Sequence, residues 1–392
     1  MYDEAVVVKR RDGTAAASTG PAPTGSARVT LKDIAAELGI AASTVSNAYN
    51  RPDQLSDALR ARILDTAARL GYTGPDPAAR SLRRGVSNVI GVVFPGTLSY
   101  AFTDPAAAQF IEGIAREAEA AGYSLLLMGT PDVTTHGPFS PSRPEGAAAG
   151  DQAPLPVTTA NVDGLVVHCF ADTDPLFEAA IARRLPTVMV DNPGADGVPH
   201  VSIDDEGGAR AAAEHLLAQG HTRLGVASME FDATAVGGIA SPDRQAEVAY
   251  VSVRARLDGY RAAVEAAGLD WERNVTVYEC GDNRPLDGEE AAAALLATDP
   301  PPTAVLGMSD QIAFGVLSYL QRNGIAVPDQ VAVVGFDDQA AAAHSTPPLT
   351  TVHQPMVEKG RQAGRLLLAQ LRGEPPPPSV RLPTRLIVRQ SG

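Results

Sequence analysis

Residues 29–50 read VTLKDIAAELGIAASTVSNAYN and predict two short helices joined by a tight turn. Thr30 is a favourable N-cap for the first helix, and Asp33 stands three residues later, where a reciprocal acid can sit. Apolar side chains recur at helical spacing, at Leu31, Ile34, Ala35 and Leu38. Gly39 suits the left-handed conformation that ends a helix, so a second helix can begin near Ala41.

The second predicted helix runs from Ala41 to Tyr49 and turns Val45 and Ala48 inward. Its outward positions are small or polar, namely Ala42, Ser43, Ser46 and Asn47. A helix, a glycine turn and a second helix of this kind are typical of the DNA-reading helix-turn-helix. The alternative is an ordinary helical hairpin inside a core, which has the same apolar spacing.

The next residues decide between these alternatives. Ser56 caps a third amphipathic helix, predicted from Asp57 to Leu70 and ended by Gly71-Tyr72. Residues 76–85 then read DPAARSLRRG, a short helix candidate just inside a proline. In order, spacing and residue types, residues 30–85 resemble the headpiece and hinge of the LacI/GalR (lactose-repressor-type) transcriptional regulators. The resemblance implies a DNA-binding headpiece over residues 28–74 and a hinge helix or linker over residues 75–87.

The charge distribution fits DNA contact at one end of the chain. The whole chain carries a net charge of −14. Residues 28–85 hold nine Lys and Arg against six Asp and Glu, a net charge of +3, and residues 1–27 are balanced. The remainder therefore carries −17, and a basic module on an acidic body favours DNA binding by the module alone.

The rest of the composition indicates a cytoplasmic protein. Residues 1–27 are rich in Ala, Gly, Ser, Thr and Pro and predict a disordered tail, whose acids before a short apolar run do not match a secretory signal. No apolar run is long enough to cross a membrane. Cys169 and Cys280 lack metal or redox spacing, which predicts two reduced thiols and no metal site.

From Asn88 onward strands and helices alternate, which is typical of parallel sheets in doubly wound domains. The resemblance implies two such subdomains, joined by three chain crossings around a ligand cleft. The predicted fold class is therefore α/β, an all-α helix-turn-helix headpiece plus two doubly wound parallel-sheet subdomains of periplasmic-binding-protein-like type. Within the effector-binding and dimerisation domain at residues 88–392, the predicted first subdomain is 88–192 with 355–373, and the second is 193–353 with 380–390.

Two insertions interrupt the alternation, at residues 131–160 and 230–253. Both are long and rich in small residues, and we predict mobile surface loops, the second of which folds over the cleft.

The resemblance also implies which headpiece residues meet DNA. Ala42, Ser43 and Asn47 fall on positions that face base edges in the major groove, where Asn pairs with adenine and Ala touches a thymine methyl. Further DNA contacts, to phosphates or within the turn, are predicted at Thr30, Thr44, Ser46 and Asn50. The alternative for Asn47 is a solvated helix residue.

In the hinge the resemblance assigns Leu82 as a wedge that enters the minor groove and bends the DNA. Arg80, Arg83 and Arg84 are predicted phosphate contacts. A helix this short is marginal in isolation, so we expect it to form only on DNA and against its dimer mate.

Effector residues are expected at the carboxyl ends of the strands. The matching positions are Asp191, Arg256, Ser309 and Asp337, and an Arg with carboxylates suits the vicinal hydroxyls of a sugar. Arg256 is predicted to lie just before the helix Leu257 to Ala267, and Phe102 and Asp104 are further predicted effector contacts. The stretch from Asp104 to Ala107 reads DPAA where the family often has Asn-Pro-Phe-Phe, so Phe102 and Tyr100 are candidate replacements for the missing rings. On this interpretation, loss of Arg256 or Asp337 abolishes the effector response and spares the fold.

Four further side chains have plainer interpretations. Asp310 is predicted to be the N-cap of its helix, Trp271 to lie at the surface, and the His168-Cys169 pair to belong to the core.

The sequence therefore predicts a dimeric regulator, controlled by a sugar-like molecule, that binds a pseudo-palindromic operator without a cofactor. A transport-type binding protein is the alternative, but it requires an export signal and no headpiece. An enzyme is a more distant alternative, because the sequence has no phosphate loop, HExxH motif, nucleophile elbow or dinucleotide fingerprint.

Overall fold

The computed structural model describes residues 29–74, 85–95, 97–129, 155–170, 174–192, 197–232, 236–375 and 378–392. The chain divides into two compact units, with the division after Gly85. The predicted tail, the predicted hinge contacts Arg80, Leu82, Arg83 and Arg84, and most of the insertion at 131–160 lie outside the described residues.

The helices and strands alternate along most of the second unit. The helices are α1 Leu31–Leu38, α2 Ala42–Asn50, α3 Asp57–Arg69, α4 Tyr100–Thr103, α5 Pro105–Ala120, α6 Pro156–Thr159, α7 Pro175–Ala182, α8 Asp205–Ala218, α9 Pro242–Ala246, α10 Val251–Ala266, α11 Trp271–Asn274, α12 Pro285–Leu296, α13 Asp310–Arg322 and α14 Met356–Leu371. The strands are β1 Val89–Val93, β2 Ser124–Met128, β3 Gly164–His168, β4 Thr187–Val190, β5 His200–Ile203, β6 Leu224–Ser228, β7 Gly238–Ile239, β8 Val275–Glu279, β9 Ala304–Gly307, β10 Ala332–Asp337, β11 Thr350–His353, β12 Val380–Leu382 and β13 Arg385–Ile387. Short 3-10 turns lie at Pro52–Gln54 and Ala340–Ala343.

The first unit contains α1, α2 and α3 around a small apolar core. The Asp33 carboxylate accepts hydrogen bonds from the Thr30 backbone N–H at 2.7 Å and the Thr30 hydroxyl at 2.8 Å, which fixes the start of α1. Gly39 ends that helix with a φ of 68°. The buried core side chains are Ile34, Ala35, Val45, Ala48, Ile63 and Ala67. These contacts produce the predicted pair of helices with a third helix packed against them.

The second unit contains two sheets. Among the described residues, six strands form the first sheet in the order β12-β5-β4-β3-β1-β2, and every neighbouring pair is parallel. Both faces of this sheet are covered, since Val92 packs with Phe110 and Leu367 while the next residue, Val93, packs with Leu176. The second sheet has the order β13-β11-β10-β9-β6-β8-β7 and is parallel except at its two edge strands.

Two strands belong to a different sheet from the one predicted. His200–Ile203 and Val380–Leu382 lie in the first sheet, where Val201 is in register with both Val190 and Val380. The predicted boundaries, which gave residues 193–353 and 380–390 to the second subdomain, are wrong at these strands. Pairing between distant strands fixes their place, and local apolar pattern does not reveal it. In the described ranges the chain passes between the sheets near Asp204, between β11 and α14, and between β12 and β13.

Helices α5 and α14 cross in direct backbone contact. A Cβ atom added at Gly113 would lie 2.1 Å from the Val357 carbonyl oxygen, and one added at Gly360 would lie 2.1 Å from the Phe110 carbonyl oxygen. Both glycines are therefore required by the close approach of the two helices.

The described part of the second insertion is anchored, so the prediction of a mobile loop is wrong for residues 236–253. Strand β7 pairs with β8, and Arg244 of α9 donates two hydrogen bonds to the buried Glu279 carboxylate, at 2.6 and 2.8 Å. Trp271, predicted at the surface, packs in the core of the second sheet and is only 7% exposed, and its indole N–H donates to Gln245 at 2.9 Å. These contacts join the insertion to the edge of the second sheet.

None of the helices in the described ranges combines the length and apolar character that crossing a bilayer requires. The same ranges contain no group of three or more His, Cys, Asp or Glu side chains placed to hold a metal ion.

Candidate functional site

Six of the seven predicted headpiece contacts with DNA lie on α2, and the seventh, Thr30, precedes α1. Ser43 is exposed, while Ala42, Thr44, Ser46, Asn47 and Asn50 are half-buried. The Asn47 side-chain amide donates to the Gln54 side-chain oxygen at 3.4 Å, and the Asn50 amide donates to the Ser46 hydroxyl at 3.1 Å. Ala41 is the N-cap and offers no side-chain hydrogen bond to the first turn of α2. The helix therefore presents small and amide-bearing side chains that suit contact with base edges.

Asp191 and Asp337 end strands in different sheets and belong to one polar cluster. Asp191 follows β4 with a φ of 55°, and Asp337 ends β10 with a φ of 130°. Non-glycine residues with positive φ are uncommon and concentrate at functional sites. Both side chains are buried.

Asp191 sits beside a buried lysine and a buried histidine. The Lys359 ammonium group donates to Asp191 Oδ2 at 2.7 Å, and His168 Nε2 lies 3.8 Å from the same oxygen. Burial lowers the pKa of His168 to about 4, so this imidazole is neutral at physiological pH. The other carboxylate oxygen, Asp191 Oδ1, is buried and has no hydrogen-bond partner among the described residues. An unsatisfied buried acceptor of this kind is a candidate contact for a ligand hydroxyl.

Arg256 lies inside a helix, so the prediction that it precedes one is wrong. It belongs to α10, which begins at Val251, and its side chain is 5% exposed. Its Nε donates to Asp205 Oδ1 at 2.8 Å, its Nη1 donates to the Met308 carbonyl oxygen, and its guanidinium carbon lies 3.7 Å from the centre of the Phe336 ring. The helix begins at Val251, inside the stretch that the sequence pattern assigned to the insertion at 230–253, and this is why its first turns were not predicted.

Asp337 accepts hydrogen bonds at both oxygens. Gln354 Nε2 donates to Oδ1 at 2.5 Å, while Gln339 Nε2 and the Asp310 backbone N–H donate to Oδ2 at 3.3 and 3.4 Å. Burial raises the pKa of Asp337 to about 7, against the lowering effect of the Arg256 charge.

Ser309 and not Asp310 is the N-cap of α13, which corrects the prediction for Asp310. The Ser309 hydroxyl accepts from the Ile312 backbone N–H at 3.1 Å. Asp310 is the first helical residue, fully buried, and its carboxylate accepts from the Thr351 hydroxyl at 2.6 Å and the Gln339 backbone N–H at 2.7 Å. The preceding serine therefore supplies the capping oxygen, and Asp310 connects α13 to β11.

Asn283 joins two predicted effector residues from opposite subdomains. It accepts from the Ser309 hydroxyl at 2.5 Å and donates to Asp104 Oδ2 at 3.2 Å. Asp104 is itself the N-cap of α5, where it accepts from the Ala106 backbone N–H at 2.9 Å. Phe102, the candidate ring nearby, is 73% exposed, and the Tyr100 side chain lies outside the described part of the chain. The structure thus brings Asp104, Ser309 and Asn283 into one hydrogen-bonded chain.

A second contact across the subdomains involves Cys169. Its sulfur lies 3.8 Å from the Ser252 hydroxyl oxygen of α10. Burial raises the pKa of the Cys169 thiol to about 12, so the thiol stays protonated. The carboxyl ends of the two sheets therefore meet through Asp104–Asn283, Cys169–Ser252 and Lys359–Gln354, and these contacts define the cleft.

Comparison with known proteins identifies the family to which this architecture belongs. A family model for the periplasmic binding protein-like domain matches residues 213–392. An HTH-type transcriptional regulator of Mycolicibacterium smegmatis is 40% identical over 87% of this chain and 90% of its own length. The chain belongs to the LacI/GalR family of transcriptional regulators. This confirms both the resemblance and the α/β fold class predicted from the sequence.

Solved structures of LacI-family proteins extend the comparison. A LacI-family regulator from Corynebacterium glutamicum is 34% identical, with a TM-score of 0.67 over 92% of this chain and 98% of that one. The transcriptional regulator CelR, in complex with cellobiose, is 30% identical, with a TM-score of 0.61 over 93% of this chain and 100% of that one.

In this LacI/GalR regulator, Lys359 and Gln354 are two of the cleft residues that escaped prediction from the sequence. Lys359 donates to Gln354 Oε1 at 3.3 Å as well as to Asp191, and Gln354 donates onward to Asp337. The two side chains thereby connect the aspartates of both sheets. The available signal was a lysine among apolar residues at helical spacing, since Met356 and Ala363 flank Lys359 on the buried face of α14.

Proposed function

We propose that this regulator binds a pseudo-palindromic operator as a homodimer and acts as a cytoplasmic repressor. The helix-turn-helix with its exposed Ser43 and half-buried Asn47 supports the proposal most directly. A single headpiece has a small core, and together with its hinge it carries a net charge of only +3, so two copies on symmetric half-sites are needed for tight specific binding.

Control of DNA binding is proposed to reside in the cleft, through a sugar-like effector. The supporting observation is that Asp191 and Asp337 come from different sheets and are joined through Lys359 and Gln354. A ligand that contacts both aspartates would favour one angle between the subdomains. The CelR structure with cellobiose supports a carbohydrate as the effector class.

A transport-type binding protein would share the two-sheet body, but it would not use the helix-turn-helix. The cleft residues are placed to bind, and we propose that they carry out no catalytic step. Neither a transport-type binding protein nor an enzyme would explain why a DNA-reading fold precedes the body.

Asn47→Ala tests the proposed operator contact. We expect the variant to lose about 1–3 kcal/mol per base contact and to relax specificity at one symmetric base position. The measurement is the affinity of the dimer for an operator and for single-base variants of it. Equal weakening on every DNA sequence would instead identify Asn47 as a phosphate contact.

Gln54→Ala is the matched control for this measurement. It removes the partner of the Asn47 amide and leaves Asn47 in place. If Gln54→Ala changed base preference as much as Asn47→Ala, the specificity would not depend on direct base contact by Asn47.

Leu82→Ala tests the proposed coupling between cleft and hinge. Leu82 lies outside the described residues, and its wedge role remains a prediction from the family resemblance. We expect the variant to bind and bend operator more weakly, while its effector affinity without DNA stays unchanged. In the wild type, operator and effector should share one reciprocal coupling energy of about 1–3 kcal/mol.

The coupling is measured as effector affinity with and without operator, for wild type and for Leu82→Ala. An effector affinity that operator leaves unaltered in the wild type would rule out the hinge as the switch.

A further inference from the structure

The two buried cations in the described part of the cleft are each held by a carboxylate of the protein. Arg256 pairs with Asp205 at 2.8 Å, and Lys359 pairs with Asp191 at 2.7 Å. Lys359 is 2% exposed and Arg256 5% exposed, so solvent screens neither pair strongly. Each cation is thus neutralised before a ligand arrives.

Further protein groups engage the same cations. Arg256 donates to the Met308 carbonyl oxygen and lies over the Phe336 ring. Lys359 also donates to Gln354. A phosphate or carboxylate on a ligand would have to displace these contacts, and displacement would leave a buried aspartate unpaired, which is strongly destabilising.

Carboxyl groups outnumber cations around the described cleft. Those buried at the carboxyl ends of the strands include Asp104, Asp191, Asp205, Asp310 and Asp337. Asp191 Oδ1 accepts no hydrogen bond from the described residues and can accept one from a ligand hydroxyl. Burial raises the pKa of Asp337 to about 7 and holds that of Asp310 well above its usual range, so part of the negative charge is absent at neutral pH. Such a site offers many acceptors and little net attraction for a cation.

We propose that the Lys359–Asp191 and Arg256–Asp205 pairs make the cleft selective for uncharged polyhydroxylated ligands and exclude phosphorylated or carboxylated ones. Asp191 and Asp205 are then specificity-determining residues, because each withholds a cation from the ligand. The inference rests on the proposed effector cleft and narrows its ligand class by charge.

The first test compares neutral sugars with their charged analogues on the full-length wild-type protein. Thermal shifts are measured for ribose and ribose 5-phosphate, and for glucose, glucose 6-phosphate, gluconate and glucosamine. We expect any shift from a neutral sugar to exceed that from each of its charged analogues. A larger shift from a phosphate ester, from gluconate or from glucosamine would overturn the proposal.

The second test needs no knowledge of the effector. Asp191→Asn preserves the shape of the side chain and frees the Lys359 charge. At about 10 mM inorganic phosphate we expect the melting temperature of this variant to rise by about 2–4 °C, and that of the wild type to stay constant. Asp204→Asn is the matched control, since Asp204 pairs with Arg381 at an exposed site and should show no phosphate response.

Asp205→Asn, which frees Arg256, repeats the test should Asp191→Asn fail to fold. Phosphate stabilisation of the wild type equal to that of these variants would overturn the proposal, as would folded variants that ignore phosphate. If no neutral sugar raises the melting temperature, the sugar effector of the proposed function is contradicted. The phosphate experiment then still tests the charge selectivity of the cleft on its own.

Discussion

Arg256→Ala is expected to lower the free energy of unfolding by about 3–5 kcal/mol, because the variant leaves Asp205 buried without its cation. The two side chains are 2.8 Å apart and both are buried, and the guanidinium also packs on Phe336. This result would reverse the expectation from sequence, in which loss of Arg256 spares the fold. Urea unfolding of the full-length variant, compared with wild type, provides the measurement.

Arg254→Ala and a double variant are the controls for the Arg256 experiment. Arg254 is exposed on the same helix and donates to backbone carbonyl groups, so its loss should cost far less. Arg256→Met with Asp205→Asn removes both charges and should recover part of the lost stability. If the double variant were as unstable as Arg256→Ala, packing of the arginine and not its charge would account for the effect.

Gly360→Ala is expected to cost about 3 kcal/mol, although alanine normally favours a helix over glycine by about 1 kcal/mol. The added Cβ would lie 2.1 Å from the Phe110 carbonyl oxygen and would force α14 away from α5. The same displacement would move Lys359, and with it the link between Asp191 and Gln354. Thermal and urea unfolding measure the loss.

Gly364→Ala is the matched control, one turn further along α14. A Cβ there would lie 3.0 Å from the Glu117 Cβ, which a shift of a few tenths of an ångström relieves, whereas the Cβ at Gly360 would overlap a backbone oxygen. We expect this variant to lose clearly less stability than Gly360→Ala. Comparable losses for both glycines would show that neither depends on the helix crossing.

Local sequence features were sufficient to predict the headpiece and the alternation of strands and helices. Thr30, Asp33 and Gly39 act within a few residues of one another, so spacing and turn chemistry reveal them. The apolar runs that predict the strands ending at Asp191 and Asp337 are also local features of the sequence. Both positions could therefore be proposed as cleft residues.

Contacts between distant segments could not be predicted in this way. Lys359 meets Asp191 across 168 residues, and Asn283 meets Asp104 across 179. Trp271 was misplaced for the same reason, because its partner Gln245 belongs to the insertion. Register between β5, β12 and their neighbours is likewise decided only when the whole sheet assembles.

The return of the chain to its first sheet constrains how the protein is made on the ribosome. Strand β12 pairs with β5, and α14 covers the first sheet. Most of the second subdomain is translated after β5 and before α14 and β12. The apolar surface of the nascent first subdomain that packs against Leu366 and Leu367 therefore stays exposed until almost the whole chain has emerged. We expect it to need chaperones during that interval, and we expect the two subdomains to complete their folding together and not in sequence.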